Sequence, residues 1–463
     1  MAGAGAGAAI VTDVATAAGP EDAVELLRAL IRTECVNDGT IESGQEIRGV
    51  RVLLDYLGDL PEHVEVEVVE PAPGRANLIA RLRGTDPESP SLALVGHLDV
   101  VPADPAGWQH DPFGAEVIDG EIWGRGAVDM LNFTAAMAVA FKMLANADTR
   151  LAGDLVFAAT ADEEAGSRYG MGWLVEHRPE LVLTDSALTE SGGGIPLGQG
   201  AAEHVTVTTG QKGAAARRVR LRGGSGHGSM PYGIVSGARL AADVVTRIAA
   251  HRTAPAVPTD QWWPDLLSAL GHTPDLVERL CNAETIDDAL PETGEMARVL
   301  HALTHLTLSP NVIAAGSKTN VIPGEGIVDL DIRLLPGQTG ADADAELAAA
   351  LAGIAGEITV EAGHEASALE TDRSDPLYGV LRDVIEEFYP GAGALPMLTP
   401  GGNDARHYLS RGLPCYGFGM FSPEMDIASF RARFHGDDER IDLASVRLAA
   451  AAYRRIAERF LGY

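Results

Sequence analysis

The chain has 463 residues, 46% of them hydrophobic, and a formal net charge of −31 at pH 7. A single core rarely grows that large, so at least two domains are expected. The negative charge argues against nucleic acid as a partner and against an anionic membrane surface, since both would repel it.

The first ten residues alternate Ala and Gly without a basic stretch, which reads as a loose leader and not a signal peptide. Cys35, Cys281 and Cys415 are odd in number and far apart. No disulfide framework follows, and a reducing, cytoplasmic setting is expected. Glu21 to Arg32 reads as the first helix, with acids at its start and Arg later, as the helix dipole prefers. Val64 to Val69 alternates with period two, and Ala76 to Leu82 reads as its hairpin partner. Ser91 to Gly96 and Leu155 to Ala161 are uncharged runs that suit strands buried on both faces of a parallel sheet. Asn132 to Ala145 reads as a buried helix capped by Asn132. Its apolar stretch, Phe133 to Phe141, is far too short to span a membrane. Leu188-Thr-Glu190 is a further strand-then-loop junction.

The pattern changes near Gln211. Arg217 to Arg222 and Gly326 to Leu335 alternate charged and apolar residues, as antiparallel strands with one wet face do. Between them lie a Gly-rich loop with His227, a helical run from Ser236 to Arg252, and an elaboration from about Thr253 to Pro310 carrying Trp262 and Trp263. A helix, Ala341 to Leu351, and a strand, Glu357 to Glu361, complete an α+β unit inserted into an α/β chain. From Asp375-Pro376 the chain returns to helix. A strand within 412–420, a loop around His435 and a closing amphipathic helix from Asp442 to Leu461 follow. The expected division is 1–210 and 366–463 for one domain in two pieces, with 211–365 inserted.

Chemistry gathers at the carboxyl ends of strands in open α/β sheets. His97-x-Asp99 follows one such strand; the Asp could orient a buried His or hold a His that ligates metal. Asp129 stands in a Gly-rich loop, where Asp is also a common turn residue. Glu163-Glu164 follows another strand. Two adjacent carboxylates repel, and a cation or proton would settle them; an exposed acidic turn is the plainer reading. Taken together, His97, Asp129, Glu164, Glu190 and His435 offer two imidazoles and three carboxylates. That set suits two divalent ions bridged by one carboxylate, with zinc favoured by the imidazoles and cobalt or manganese also compatible. Such a pair activates water and polarises a carbonyl. Glu163 sits beside a ligand and is free to act as general base.

Gly-His97-Leu-Asp99-Val-Val-Pro, Gly-Arg-Gly-Ala-Val-Asp129, Asp162-Glu163-Glu164-Ala-Gly, Thr-Glu190-Ser-Gly and Phe-His435-Gly resemble, in order, the motifs of the M20 metallopeptidases. The resemblance implies a zinc-exopeptidase-like α/β catalytic domain, with a mainly parallel or mixed sheet flanked by helices, plus an inserted α+β lid and dimerisation domain. It implies that His97 and Glu190 bind one zinc, that Glu164 and His435 bind the other, and that Asp129 bridges them. Asp185 is a nearby competitor for the place of Glu190. Asp99 would orient His97, and Glu163 would carry the proton from water to the leaving amine. His227 matches a lid histidine that reaches the neighbouring subunit's site, although in a Gly-rich loop it could be incidental. Asn320 and Arg333 match lid positions associated with substrate. Arg333 could pair with a carboxylate or form a strand-face salt bridge. Gly401 and Gly402 match a pocket-lining loop.

The implied reaction is hydrolysis of an amide or peptide bond beside a free carboxylate, in an N-acyl amino acid or short peptide. A dipeptidase or aminopeptidase of the same family is the alternative, and a non-catalytic binding relative a further one. Two features depart from the pattern. Met130-Leu131-Asn132 follows the bridging Asp where many relatives carry Lys-Gly. The elaboration with Trp262-Trp263 resembles the longer lids of the Gly-Xaa carboxypeptidase and N-acyl-amino-acid hydrolase branch, and argues against a compact desuccinylase; the aromatic pair could equally be lid core.

Overall fold

The computed structural model describes residues 20–190, 192–198 and 202–463. The Ala/Gly leader lies outside the described residues. Among those described, one ten-stranded mixed sheet dominates. Its order is Val64–Ala72, Arg75–Leu82, Leu155–Thr160, Leu92–His97, Ser186–Thr189, Cys415–Gly417, His204–Gln211 and Leu369–Glu370, with Pro196–Leu197 and Gly393–Thr399 also paired to His204–Gln211. Leu155–Thr160, Leu92–His97, Ser186–Thr189 and Cys415–Gly417 run parallel to one another. The outer hairpin and the pairings at the far edge are antiparallel, except that Gly393–Thr399 runs parallel to His204–Gln211. Leu92–His97 and Leu155–Thr160 are buried at every position, as their unbroken apolar runs require of strands covered on both faces. Because the central strands point the same way, the residues after Leu92–His97, Leu155–Thr160 and Ser186–Thr189 emerge at one rim.

Helix Leu131–Ala145 is buried on nearly every side and packs against Leu443–Leu461 and Pro20–Ile31. It starts one residue before the expected Asn132. The Leu131 amide donates to the Gly126 carbonyl at 2.9 Å, and Asn132 sits inside the helix with both side-chain polar atoms buried and unpaired. It does not cap.

A separate four-stranded antiparallel sheet, in the order Thr307–Ala315, Glu325–Leu334, Gly213–Arg222, Glu357–Ala366, is packed by helices Gly237–Ala250 and Gly340–Leu351. Alternate residues of Gly213–Arg222 and Glu325–Leu334 are buried. They form a second core with Leu240, Val244 and Leu347. The chain passes from the large sheet to this one at Lys212 and returns between Ala366 and Leu369.

The helices at 262–304 depart from the expectation that they enlarge the lid. Trp263, Leu266, Leu280 and Leu300 join the core of the ten-stranded sheet, not that of the four-stranded one. Trp263 is fully buried and donates Nε1–H to the Leu280 carbonyl at 3.1 Å. Sequence proximity to the elements of the four-stranded sheet is overruled here by an apolar face that finds the larger core. No helix among the described residues is long and apolar enough to cross a membrane. Trp263→Ala is expected to lower the unfolding free energy by about 3–5 kcal/mol, read by urea denaturation.

Candidate metal centre

His97 closes its strand, and Gly96 before it allows helix Leu131–Ala145 to approach. A Cβ at Gly96 would lie 2.5 Å from Thr134 Oγ1, and that hydroxyl donates to the His97 carbonyl at 2.8 Å. Asp129 ends the loop before the same helix, and its peptide bond to Met130 is cis. Glu163 and Glu164 open the one-turn helix Glu163–Ala165, entered through Asp162 in the left-handed region at φ 63°. Glu190 follows Ser186–Thr189. His435 follows helix Ile427–Arg433, also at positive φ (58°).

These five segments meet. Asp129 turns one oxygen to each imidazole: Oδ1 is 3.2 Å from His97 Nε2, and Oδ2 is 2.8 Å from His435 Nε2. Glu190 Oε1 lies 3.6 Å from His97 Nε2, and Glu164 Oε1 lies 3.3 Å from His435 Nε2. Asp185, the competitor for Glu190, is exposed at the opposite end of its strand, where it accepts from Ser91 N and Oγ at 2.8 and 2.7 Å. A Glu163 oxygen lies within 4.8 Å of ligand atoms of His97 and Glu190; His97, Asp129 and Glu164 meet the same limit.

The electrostatics show a site short of positive charge. Burial, and then the charge of Glu190, push the Glu163 carboxyl well above its ordinary range. Burial and the charge of Asp129 raise Glu190 to about 8. Burial opposes ionisation of Asp129 too, but the hydrogen bonds from His435 and His97 outweigh it and hold Asp129 far below the usual carboxylate range. His435 is lifted to about 10: burial pulls it down, and the bonds to Asp129 and Glu164 more than reverse that. Glu164 Oε1 is shut off from solvent and faces His435 Nε2 at 3.3 Å. A desolvated carboxylate oxygen set among imidazoles and further carboxylates is part of a donor set that divalent cations satisfy.

Two buried ionic frames hold the ligands, and the sequence reading found neither. In the first, Arg75 donates Nε and Nη2 to Glu46, both at 2.8 Å, and Nη2 also to Asp162 at 2.9 Å. Asn37 Nδ2 then joins Asp162 to Asp99, at 3.1 and 2.8 Å. Asp99 itself departs from expectation. His97 Nδ1 donates to the Asp99 main-chain carbonyl at 2.8 Å, while the carboxylate is 3.8 Å away. That carboxylate accepts the amides of Glu163 and Glu164, each at 3.1 Å. It positions the Glu163–Glu164 turn, while the main-chain carbonyl of the same residue holds the ring. In the second frame, Glu439 is fully buried. It accepts from Arg125 Nη1 at 2.6 Å and from the amides of Val128 and Asp129 at 2.6 and 3.1 Å. Arg125 Nη2 reaches the His435 carbonyl at 3.4 Å. The only sign of Glu439 in the sequence is its place four residues after His435, within an acidic run that reads as solvated.

The centre opens into a cleft of about 520 Å³. Arg333, Gly401 and Gly402 line it, as expected, with Arg406 from the same loop as the two glycines, together with Lys212 and Arg431, which sequence reasoning missed. His227 and Asn320 do not line it. They lie beside each other on the second body, where Gly226–His227 pairs with Val321–Ile322 and Gly228 N donates to the Asn320 carbonyl at 2.8 Å. Both are exposed.

The model for peptidase family M20/M25/M40 matches residues 93–459. The chain belongs to this family. Among its relatives is a succinyl-diaminopimelate desuccinylase of Phenylobacterium zucineum, 29% identical over 95% of this chain and 98% of that protein. Another is the N-fatty-acyl-amino acid synthase/hydrolase of Xenopus tropicalis, 23% identical over 94% of this chain and 85% of its own length. The M20 family metallo-carboxypeptidase Sso-CP2 of Sulfolobus solfataricus has a similar fold, with a TM-score of 0.69 over 96% of this chain and 99% of that one at 17% identity. This M20 chain is thus a metallopeptidase or amidohydrolase, and relatives of similar extent differ in substrate.

Glu439→Gln removes the ionised partner of Arg125 and loosens the loop carrying Asp129. Metal affinity is expected to fall about 10–100-fold, measured by competitive titration against a chelator, with the far-ultraviolet circular dichroism retained.

Proposed function

We propose that this M20 protein is a di-zinc amidohydrolase that cleaves an amide or peptide bond beside a free carboxylate. The observation that carries the reading is the division of Asp129, one oxygen toward His97 and Glu190 and the other toward His435 and Glu164. In this reading His97 and Glu190 hold one cation, His435 and Glu164 the other, and Asp129 both. Bound there, the two cations would supply Lewis acidity, lowering the pKa of water and polarising the scissile carbonyl.

The chain's own residues do the rest. Glu163, buried beside the cluster and short of hydrogen-bond partners, takes the proton of the attacking water and delivers it to the leaving amine. Arg406 Nη1, 3.7 Å from Glu163 Oε1, steadies that carboxylate when it is charged. Arg333 receives the substrate carboxylate from the lid side of the cleft, and Gly401 and Gly402 let main-chain amides come close to the substrate. A dipeptidase differs from an acylase here only in what the amine side of the cleft accepts, and the N-acyl reading is favoured by the cationic residues lining it.

The same reading makes 211–365 the lid and dimerisation domain, with the helices at 262–304 docked on the catalytic pieces 1–210 and 366–463. His227 and Asn320 then serve the partner subunit's cleft. Supporting this, Met230 and Tyr232 beside His227 are 67% and 100% exposed, and Val312, Ile313 and Val321 are each about half exposed, an apolar surface of the kind that marks subunit contacts. A cytoplasmic location completes the reading, supported by three free cysteines.

Exhaustive chelation should abolish hydrolysis of N-acyl amino acids, with zinc restoring it, and elemental analysis should find two metal ions per chain. Glu163→Ala should retain both ions and lose about 10²–10⁴-fold in kcat; full turnover in that variant would end the mechanism. Mixing His227→Ala with Glu163→Ala chains should regenerate active dimers, because one clean catalytic centre then receives an intact His227 from its partner. No recovery on mixing, with dimers confirmed by light scattering, would remove His227 from the site.

A further inference from the structure

Three guanidinium groups line the cleft, and two of them have a partner within the protein through one nitrogen or more. Arg333 Nε donates to Asp331 at 2.8 Å. Arg406 Nη2 donates to Ser167 Oγ at 2.9 Å and lies near Glu163 and Asp404. Arg431 is different. It lies on helix Ile427–Arg433, whose Ile427 and Phe430 are fixed in the large core. Its Nε is closed off from solvent and has no hydrogen-bond partner. No ion pair or other partner engages it among the described residues. Arg433, two residues on, is by contrast engaged through Nη1, by Glu121 at 2.9 Å and the Arg440 carbonyl at 3.0 Å.

A chain with 66 acidic and 35 basic side chains has carboxylates to spare, yet among the described residues none forms an ion pair with Arg431. Burying an unpaired charge is costly, and desolvation lowers the affinity of this guanidinium for its proton. The structure therefore holds a partly buried guanidinium in the wall of the substrate cleft, its Nε desolvated and without a protein partner. Phe430 and Phe434 line the same wall and offer an apolar surface for a short methylene chain. Arg333 belongs to the four-stranded sheet and Arg431 to the other body, so the two cations sit on different walls of one cleft.

We propose that Arg431 is a specificity-determining residue that binds a second carboxylate of the substrate, so that the preferred substrate is a dicarboxylate spanning the cleft from Arg333 to Arg431. The proposal rests on the amidohydrolase reading above. The second carboxylate comes either from a carboxyacyl group on nitrogen or from the acidic side chain of the acylated amino acid. In both cases the planar fork of the guanidinium accepts it bidentately, and a neutral isostere leaves Arg431 unpaired.

The test uses the full-length, zinc-loaded protein with two matched pairs: N-succinyl-alanine against N-butyryl-alanine, and N-acetyl-glutamate against N-acetyl-glutamine. The wild type is expected to favour the charged member of one pair by tenfold or more in kcat/KM, mainly through KM, and the responding pair identifies the source. Arg431→Met should bring that ratio close to one. Arg431→Lys, which keeps the charge without the fork, should give an intermediate ratio, and it carries the comparison if the Met variant does not fold. Calorimetric titration of the same ligands reads binding without turnover. Tighter binding of the charged ligand by the wild type but not by Arg431→Met, with no hydrolysis, upholds the proposal and overturns the amidohydrolase reading. Hydrolysis with the same charged-to-neutral ratio in wild type and Arg431→Met overturns the proposal and leaves that reading standing. Absence of both hydrolysis and charge-selective binding overturns the two together.

Discussion

One carboxylate, Asp129, sets the constraint under which the rest of the site is built. It is buried, and each of its oxygens faces a different imidazole. Glu163, Glu164 and Glu190 crowd the same space. Two like charges about 4 Å apart repel by roughly 4 kcal/mol at an effective dielectric near 20. A typical domain is stable by only about 5–15 kcal/mol in total. Four ionised carboxylates cannot share this volume unless positive charge joins them, as protons or as cations. The raised Glu163 and Glu190 and the elevated His435 are the proton solution to that problem; divalent cations are the other.

Holding such a cluster open requires a rigid surround, and the fold provides it by converging separate segments. The central parallel strands deliver His97, the Glu163–Glu164 turn and Glu190 to one rim. The Arg75–Glu46–Asp162 group, through Asn37 and Asp99, fixes that turn by its amides. Arg125 and Glu439 tie the Asp129 loop to the His435 segment, more than 300 residues away in the chain. Buried ion pairs of this sort contribute little net stability, but removing one partner is strongly destabilising. Their value here is geometric: each supplies carboxylate acceptors for main-chain amides, or guanidinium donors, with fixed direction.

Much of this was legible in the residues. The apolar runs ahead of His97 and Asp162 marked fully buried strands, and the change to alternating charge at Arg217 marked the second sheet. All five candidate ligands converge, and Glu190 prevails over Asp185 because the two sit at opposite ends of one short strand. Three things were not legible. Whether an acid is solvated or buried does not show in its type, so Glu439 and Glu46 passed as surface residues, and Arg431 as one charge among many. Asn132 had the chemistry of a cap but not the position, because the Gly126 carbonyl started the helix earlier. Trp262–Trp263 follow lid elements in sequence, yet the core that receives Trp263 is chosen by packing in three dimensions.

The Asp99 carbonyl has a consequence for the chemistry of His97. A carbonyl oxygen can only accept, so Nδ1 of the ring must carry hydrogen, and Nε2, which donates to Asp129 while it is protonated, is the nitrogen that can give up its proton to ligate a cation beside Asp129. The tautomer that a metal ligand needs is thereby written into the main chain. Residue 99 could change its side chain and the ring would keep its electronic orientation, while the Glu163–Glu164 turn would lose its anchor. Ligand electronics and ligand placement, supplied by one residue, are thus separable.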